Sequence, residues 1–209
     1  MKKSLKQLII DTATDYIYLA LVVDGVEKQS IYEKGINNHS VTIIPFLKEI
    51  LDLENFKLQD IDEIIVGIGP GSYTGVRIGV TVAKMISYLN NINLYKVSSL
   101  ALLASYSQEP YVLALIDARR GNAFMGFYSN VDKKLLNIKD DVLENIEDFK
   151  GKIDLKYQEV RFGKPKISKL LSSELFEKVD DVHNLVPNYL QKTEAERNKN
   201  NGINLKTNI

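Results

Sequence analysis

The stretch GPGSYTGVRIG at residues 69–79 has the composition most typical of a chemical site in this sequence. Backbone N–H groups of Gly69, Gly71 and Ser72, followed by the positive end of a helix, could hold a phosphate. The Walker pattern, however, needs a lysine and a hydroxyl after its last glycine, where this chain has a valine and Arg77. The spacing for a dinucleotide also fails, because Ser72 takes the place of the third glycine. The stretch is therefore a weak match to a nucleotide loop.

Other residue types that carry chemistry are scarce. The only histidines are His39 and His183, which lie far apart and form no His-x-x-x-His pair, and the chain has no cysteine. Such a pair is what a zinc or iron site on a helix would need, so we predict no metal site. We expect His39 to cap a helix or to make a local hydrogen bond. Two histidines alone define no Ser-His-Asp set.

The clearest predicted helix follows the glycine-rich stretch and covers residues 74–90. Its apolar and small residues span roughly 220° of the cylinder, about twice what packing on one sheet requires. The helix also carries two glycines, each costing roughly 1 kcal/mol relative to alanine. Small residues at i, i+4 spacing let another helix approach closely, which predicts either a second helix of the chain or a partner's helix as the cover. The predicted partner-interface residues are Gly75, Val76, Gly79, Val80, Ala83 and Ile86; a second apolar sector contains Ile78, Val82, Met85 and Leu89, and the polar stripe contains Arg77, Thr81, Lys84 and Tyr88.

Hydrophobic patterning places these residues in an α/β protein. Three strands in the first 34 residues precede helices and strands in alternation, with Asp24-Gly25 as a hairpin turn and Pro45 expected in or near the first turn of a helix over 37–53. Strands recur from Tyr111 onward, which predicts two ribonuclease-H-like lobes with mixed sheets. The predicted divisions are 1–98 for the first lobe, 99–190 for a smaller second lobe, and 191–209 for a polar tail expected to be disordered.

Composition narrows the class of function. The 209 residues are 44% hydrophobic, and 27 lysines and arginines balance 27 acidic residues. This balance argues against strong non-specific binding of nucleic acid by the chain alone. The longest apolar runs are too short to span a bilayer, so a cytoplasmic protein is expected.

Landmarks through nearly all of the chain resemble those of the TsaB family, also called YeaZ. The central one is GPGSYTGVRIGVTVAK at 69–84; the others are IIDTAT at 9–14, His39 before Ile44-Pro45, VSSL at 97–100, IDARRG at 116–121 and PNYL at 187–190. The resemblance implies the actin-like architecture and a non-catalytic role. It implies pairing with TsaD, which transfers threonylcarbamoyl to the adenosine next to the anticodon of tRNAs that read A-starting codons, and engagement of that pair by the ATPase TsaE. No cofactor of its own is implied, whereas ATP-Mg and a metal are expected on the partners.

Three further hypotheses remain open at this stage. Without TsaD, the same helix face would pair two copies of the chain as a homodimer. Alternatively, the chain would be a small actin-like-fold kinase or ATPase that uses Asp11 and the Gly69–Ser72 turn, with Arg77 and Arg119 as further anion contacts. DTATD at 11–15 lacks the glycine of a phosphate turn, which favours a turn held by side-chain hydrogen bonds instead. Lysines and arginines of the tail are candidates for contact with tRNA within the complex.

Overall fold

The architecture consists of alternating layers of helix and sheet. The computed structural model describes residues 3–35, 39–132 and 134–190. Its strands are β1 Lys6–Asp11, β2 Tyr16–Val23, β3 Val26–Lys34, β4 Glu63–Gly67, β5 Asn93–Val97, β6 Tyr111–Asp117, β7 Asn122–Val131, β8 Lys134–Asn145, β9 Gln158–Val160 and β10 Phe176–Lys178; its α-helices are α1 His39–Leu53, α2 Tyr73–Asn90, α3 Ser99–Ala104, α4 Ile146–Lys150 and α5 Ile167–Leu171, and a 3-10 turn covers Leu58–Asp60.

The first sheet has six strands in the order β10-β5-β4-β1-β2-β3. Strands β1, β2 and β3 form an antiparallel meander, whereas β4 and β5 run parallel to β1. The predicted hairpin is confirmed: Asp24 and Gly25 have φ values of 51° and 78°, so both turn residues are left-handed, as the tight turns of hairpins require. Because β1 and β4 are neighbouring parallel strands, the C-terminal end of β1 lies beside that of β4 and thus close to the start of α2, which follows β4.

Helices α1 and α2 cover one face of this sheet. Ile43, Leu47 and Ile50 of α1 and Val76 and Val80 of α2 are buried in a core that they share with the strands. Pro45 lies near the first turn of α1 but not in it: the helix begins at His39, and Pro45 lies inside the helix in its second turn, beyond the positions where a missing N–H is tolerated. Its ring removes the hydrogen bond to the carbonyl of Val41, and both residues are exposed, so water can satisfy that carbonyl.

The second sheet lies on the other face of the first. It has the order β8-β7-β6-β9, with β6, β7 and β8 antiparallel and β9 parallel to β6. Helices α3 and α5 are buried between the two sheets, and α4 packs on the outer face of the second sheet through Phe149. The layers are thus α1 and α2, the first sheet, α3 and α5, the second sheet, and α4. This is the predicted two-lobe α/β architecture with mixed sheets.

The predicted division between the lobes needs one correction. The chain crosses to the second lobe at α3, as expected near residue 98, but it returns: β10 pairs with β5 at the edge of the first sheet. Residues 176–190 therefore belong to the first lobe, not to a second lobe that was expected to extend to 190. A three-residue strand is too short to show a hydrophobic period, so the sequence pattern did not predict β10. The tail 191–209 lies outside the described residues.

No described helix has the length and apolarity needed to cross a membrane.

Candidate functional site

Helix α2 begins and ends with clear capping signals. The Oγ atom of Ser72 accepts a hydrogen bond from the Gly75 N–H at 3.2 Å, as expected of an N-cap serine. At the other end, Asn91 takes the left-handed conformation and its N–H donates to the Ser87 carbonyl. The helix start predicted at residue 74 is therefore correct to within one residue, and the glycines lie inside the helix.

The glycine column of α2 faces the chain's own strand β1. A Cβ atom on Gly75 would lie 2.2 Å from the Thr12 carbonyl oxygen, and one on Gly79 would lie 2.5 Å from Thr12 Oγ1. The Thr12 hydroxyl donates to the Gly75 carbonyl at 2.7 Å and accepts from the Gly79 N–H at 3.0 Å. Glycine is required at these positions because the end of β1 approaches the helix backbone directly.

This packing contradicts the predicted partner interface. The close approach does occur, but the backbone that approaches is the chain's own β1. The residues predicted to meet a partner are instead buried against the sheet; they are Gly75, Val76, Gly79, Val80, Ala83 and Ile86.

A second part of α2 is covered by the segment that follows β10. The Nζ atom of Lys84 donates to the carbonyls of His183 and Leu185, both at 2.8 Å. The ring of His183 packs edge-on against Tyr88, with centroids 4.6 Å apart. Leu185 itself is buried in the core of the first lobe. This return segment, residues 179–190, therefore lies along one flank of α2.

Besides polar residues such as Arg77 and Thr81, α2 exposes an apolar stripe at its C-terminal half. Met85, Tyr88 and Leu89 are 47%, 62% and 72% exposed. On the neighbouring helix α1, Val41 and Ile44 are 68% and 46% exposed. We call the solvent side of α1 and α2 the outer face. Met85, Tyr88 and Leu89 are neighbours on one helix face, and a contiguous exposed apolar patch of this kind marks an interaction site.

The three predicted motifs around Asp11, Gly69 and Ser99 meet in one hydrogen-bonded junction. The Ser99 hydroxyl donates to Asp11 Oδ1 at 2.7 Å and accepts from the Gly69 N–H at 3.0 Å. The Ser72 N–H donates to the Ala13 carbonyl at 2.7 Å. The Gly69–Pro70 peptide bond is cis. Two of the N–H groups that were expected to hold a phosphate thus bond within the chain, and a Cβ on Gly71 would lie 2.3 Å from the Ala13 carbonyl oxygen.

The preceding serine makes an equivalent bond to the other lobe. Ser98 Oγ caps α3 by accepting from the Leu100 N–H, and its hydroxyl donates to Asp141 Oδ2 on β8 at 2.5 Å. Tyr128 donates to the second oxygen of Asp141 at 2.9 Å. Consecutive serines at the crossing point between lobes therefore each hold one carboxylate, the buried Asp11 from the first sheet and the half-buried Asp141 from the second.

Asp11 lies in a closed environment. Its residue exposure is 6%, and burial raises its pKa to about 6 in spite of the hydrogen bonds from Ser99 and the backbone. The cavity beside it measures about 10 Å³ and is lined by Tyr16, Tyr18 and Tyr32 among others. Small-molecule sites usually measure roughly 300–1,000 Å³. This cavity has room for about one water molecule.

The two arginines of the anion-site hypothesis lie elsewhere. Arg77 is exposed on the outer side of α2, where its guanidinium lies 5.3 Å from the Tyr73 ring centroid. Arg119 is in the β6–β7 turn of the second lobe with φ 70°, and its N–H donates to Asp117. The structure thus brings Asp11 close to the Gly69–Ser72 turn but does not bring either arginine to them.

Both histidines make contacts within the chain, and His183 packs against Tyr88. His39 begins α1 and packs against Gly35; burial lowers its pKa, which the Asp15 charge and a hydrogen bond to the Asp15 backbone partly oppose. This agrees with the expected local hydrogen bond. Among residues 3–35, 39–132 and 134–190, no three His, Cys, Asp or Glu side chains are grouped so that they could hold a metal ion.

Sequence reasoning missed two kinds of residue. Thr12 and Ser99 were parts of quoted motifs, but only the fold shows that their hydroxyls join segments 63 to 88 positions apart. Met85 and Leu89 were recognised as members of one apolar sector. The signal for their exposure was that this sector lies on a different side of the helix from the glycine column. If the glycine sector had been assigned to the sheet, Met85 and Leu89 would have been predicted to be exposed.

Comparison with known proteins agrees with this fold. Residues 31–195 match the family model of TsaD, described as tRNA N6-adenosine threonylcarbamoyltransferase. The chain is similar to the tRNA threonylcarbamoyladenosine biosynthesis protein TsaB of Bacillus subtilis, with 31% identity over 90% of this chain and 95% of that relative. It is also similar to TsaB of Escherichia coli, with 35% identity over 58% of this chain and 54% of that relative.

A solved structure, YeaZ from Pseudomonas aeruginosa, superposes with a TM-score of 0.74 at 23% identity, covering 89% of this chain and 100% of that one. The structural match supports the actin-like arrangement of two lobes. The 31% identity to the Bacillus subtilis relative extends over nearly the whole of both chains, and this shows the family. The chain therefore belongs to the TsaB family, within the larger group of proteins that the TsaD family model describes.

Proposed function

We propose that this chain takes part in tRNA threonylcarbamoyladenosine biosynthesis as a non-catalytic partner that binds TsaD through its outer face. The observation that carries the proposal is the exposed apolar stripe on α2, Met85, Tyr88 and Leu89, on a helix whose opposite side is buried against the first sheet. The names of the similar proteins from Bacillus subtilis and Escherichia coli supply the pathway. We further expect TsaE to engage the pair, and ATP-Mg and a metal to be held by the partners.

The outer face has suitable dimensions for such an interface. With 15 and 18 residues, α1 and α2 are about 22 and 27 Å long. Side by side at roughly 10 Å spacing they present a footprint on the order of 500 Å². A stable interface buries about 800 Å² of accessible surface per partner. The outer face supplies the larger part of that area, and its apolar stripe on the C-terminal half of α2 offers the apolar contacts on which hot spots depend.

The same face supports pairing of two copies when TsaD is absent. A homodimer of this kind would be two-fold symmetric, so each α2 would meet the α2 or α1 of its partner. TsaD and the second copy then compete for one surface. We therefore expect the dimer to dissociate as TsaD is added.

Paired substitutions test the proposal. Met85→Glu with Leu89→Glu places two charges on the outer face and should weaken TsaD binding at least tenfold, because carboxylates in place of apolar side chains must be desolvated when the surface is buried. The matched control is Leu136→Glu with Ile138→Glu, since these β8 side chains are 49% and 44% exposed on the second lobe. Binding is measured by calorimetry and complex mass by light scattering. Unchanged TsaD affinity in the α2 variant, with the fold intact, would contradict the proposal.

The kinase alternative receives no support from the junction. Gly69 and Ser72 use their N–H groups within the chain, and the cavity at Asp11 is about 10 Å³. Titration of the purified chain with ATP and magnesium separates the two functions. Tight magnesium-dependent binding that Asp11→Ala abolishes would favour the enzyme over the binding partner.

A further inference from the structure

The net charge of zero conceals an uneven distribution. Residues 150–169 contain seven lysines and arginines and two acidic residues, within a chain that balances 27 against 27. Five of these cations are exposed, and we call them the basic strip: Lys152, Lys156, Arg161, Lys164 and Lys166. The segment runs from the end of α4 through β9 to the start of α5. Lys152 lies beside β8, where it pairs with Glu144, and the other four cations flank β9 at the edge of the second sheet.

The positive charge of the basic strip is only partly neutralised by neighbouring carboxylates. Three of the five cations are paired: Lys152 with Glu144, Arg161 with Glu159, and Lys164 with Glu27. For Lys156 and Lys166 no carboxylate of the described residues lies within ion-pair distance. The cations of the strip therefore exceed the carboxylates that contact them, and a positive surface remains.

An exposed aromatic side chain lies within the strip. Phe162 is 69% exposed between Arg161 and Gly163. Its neighbour Gly163 is fixed, because its N–H donates to the Tyr32 hydroxyl at 2.9 Å and a Cβ there would lie 2.4 Å from the Tyr106 ring. A fixed backbone that presents a ring between cations is typical of surfaces that follow a phosphate backbone and stack an unpaired base.

The strip also lies far from the outer face in the layer order. Helices α1 and α2 form one outermost layer, and the second sheet with its β9 edge lies beyond α3 and α5 on the opposite side of the first sheet. A partner seated on α1 and α2 would leave the strip accessible. Binding of a second, polyanionic ligand by the same chain is then compatible with the first contact.

We infer that the basic strip binds the phosphate backbone of the tRNA substrate within the complex, with Phe162 placed to stack on an unpaired base. This inference rests on the proposed function, which supplies both the RNA and the partner. Contact through a few lysines is weak by itself, in agreement with the neutral whole chain, and contributes mainly when the partner already holds the same tRNA.

The test uses the assembled complex with TsaD and a labelled tRNA transcript. Lys156→Glu with Lys166→Glu should weaken tRNA binding about tenfold near 0.1 M salt and lower the slope of log Kobs against log salt by about 2. Lys156→Gln with Lys166→Gln should give a smaller loss in the same direction. The matched control is Lys134→Glu with Lys178→Glu, which makes the same charge change on exposed lysines away from the β9 edge.

Complex mass is measured before each titration, so failure of the wild-type chain to assemble with TsaD counts against the proposed function alone. If both Lys156/Lys166 variants assemble and bind tRNA with wild-type affinity and salt slope, the inference is overturned. It is equally overturned if the Glu variant loses assembly while the control does not, because the strip would then contact protein. Equal weakening by the control would show a general charge effect and also overturn it.

Discussion

Replacement of Gly75 by alanine tests whether the glycines of α2 serve the chain's own fold. The added Cβ would lie 2.2 Å from the Thr12 carbonyl oxygen, so α2 and β1 must separate by about 1 Å. Overpacking of this kind costs about 1–3 kcal/mol. Loss of the bond from Thr12 to the Gly75 carbonyl adds about 0.5–1.5 kcal/mol. The better helix propensity of alanine returns about 1 kcal/mol. We therefore expect a net destabilisation of about 2 kcal/mol.

Urea unfolding of the wild type and Gly75→Ala measures this difference directly, and in thermal melts it corresponds to roughly 4–8 °C for a chain of this size. Thr81→Ala is the matched control, because Thr81 is exposed on the same helix and alanine there should be neutral or slightly stabilising. The reasoning is refuted if Gly75→Ala is as stable as Thr81→Ala. It is refuted more sharply if that stable variant has lost TsaD affinity, since the glycine column would then meet a partner.

Three further predictions follow from the junction and the return segment. Thr12→Val should destabilise the chain by about 2 kcal/mol, because both hydrogen bonds of the hydroxyl are lost, whereas Thr12→Ser should restore most of the urea midpoint. Burial raises the pKa of Asp11 from 3.8 to about 6, so between these values the native state holds a proton that the unfolded chain has released. Stability should therefore fall by up to about 3 kcal/mol as pH rises from 4 to 6, and Asp11→Asn should remove this part of the pH dependence; an unchanged slope would count against the burial of the carboxyl. Lys84→Met removes the bonds to the His183 and Leu185 carbonyls, and hydrogen exchange should accelerate in residues 183–189 while β1 stays protected; equal exchange would show that the flank is held by other contacts.

Local patterns predicted most elements of the fold. The apolar runs at β2 and β4 and the Asp24-Gly25 turn each depend on neighbouring residues only, and all three are confirmed. Helix α2 was predicted almost to its ends for the same reason. Periodicity shows which residues share a sector of a helix, but not which sector meets the sheet. The assignment of Gly75 and Gly79 to a partner was wrong for that reason.

Long-range pairing explains the other misses. Strand β10 is three residues long, and its place beside β5 depends on where the chain emerges from the second lobe. The bond from Ser98 to Asp141 spans 43 positions and that from Ser99 to Asp11 spans 88. A serine pair before a helix predicts an N-cap, which Ser98 is, but nothing in the sequence names the carboxylates that the two hydroxyls will find.

The serine pair at the crossing point has a mechanical consequence. Rotation of one lobe against the other would pull Ser98 from Asp141 or Ser99 from Asp11, and a hydrogen bond to a charged group contributes about 1.5–3 kcal/mol. The molecule should accordingly behave as a rigid spacer rather than as a hinged clamp. A partner bound to α1 and α2 and a ligand bound along β9 would then be kept at one constant separation.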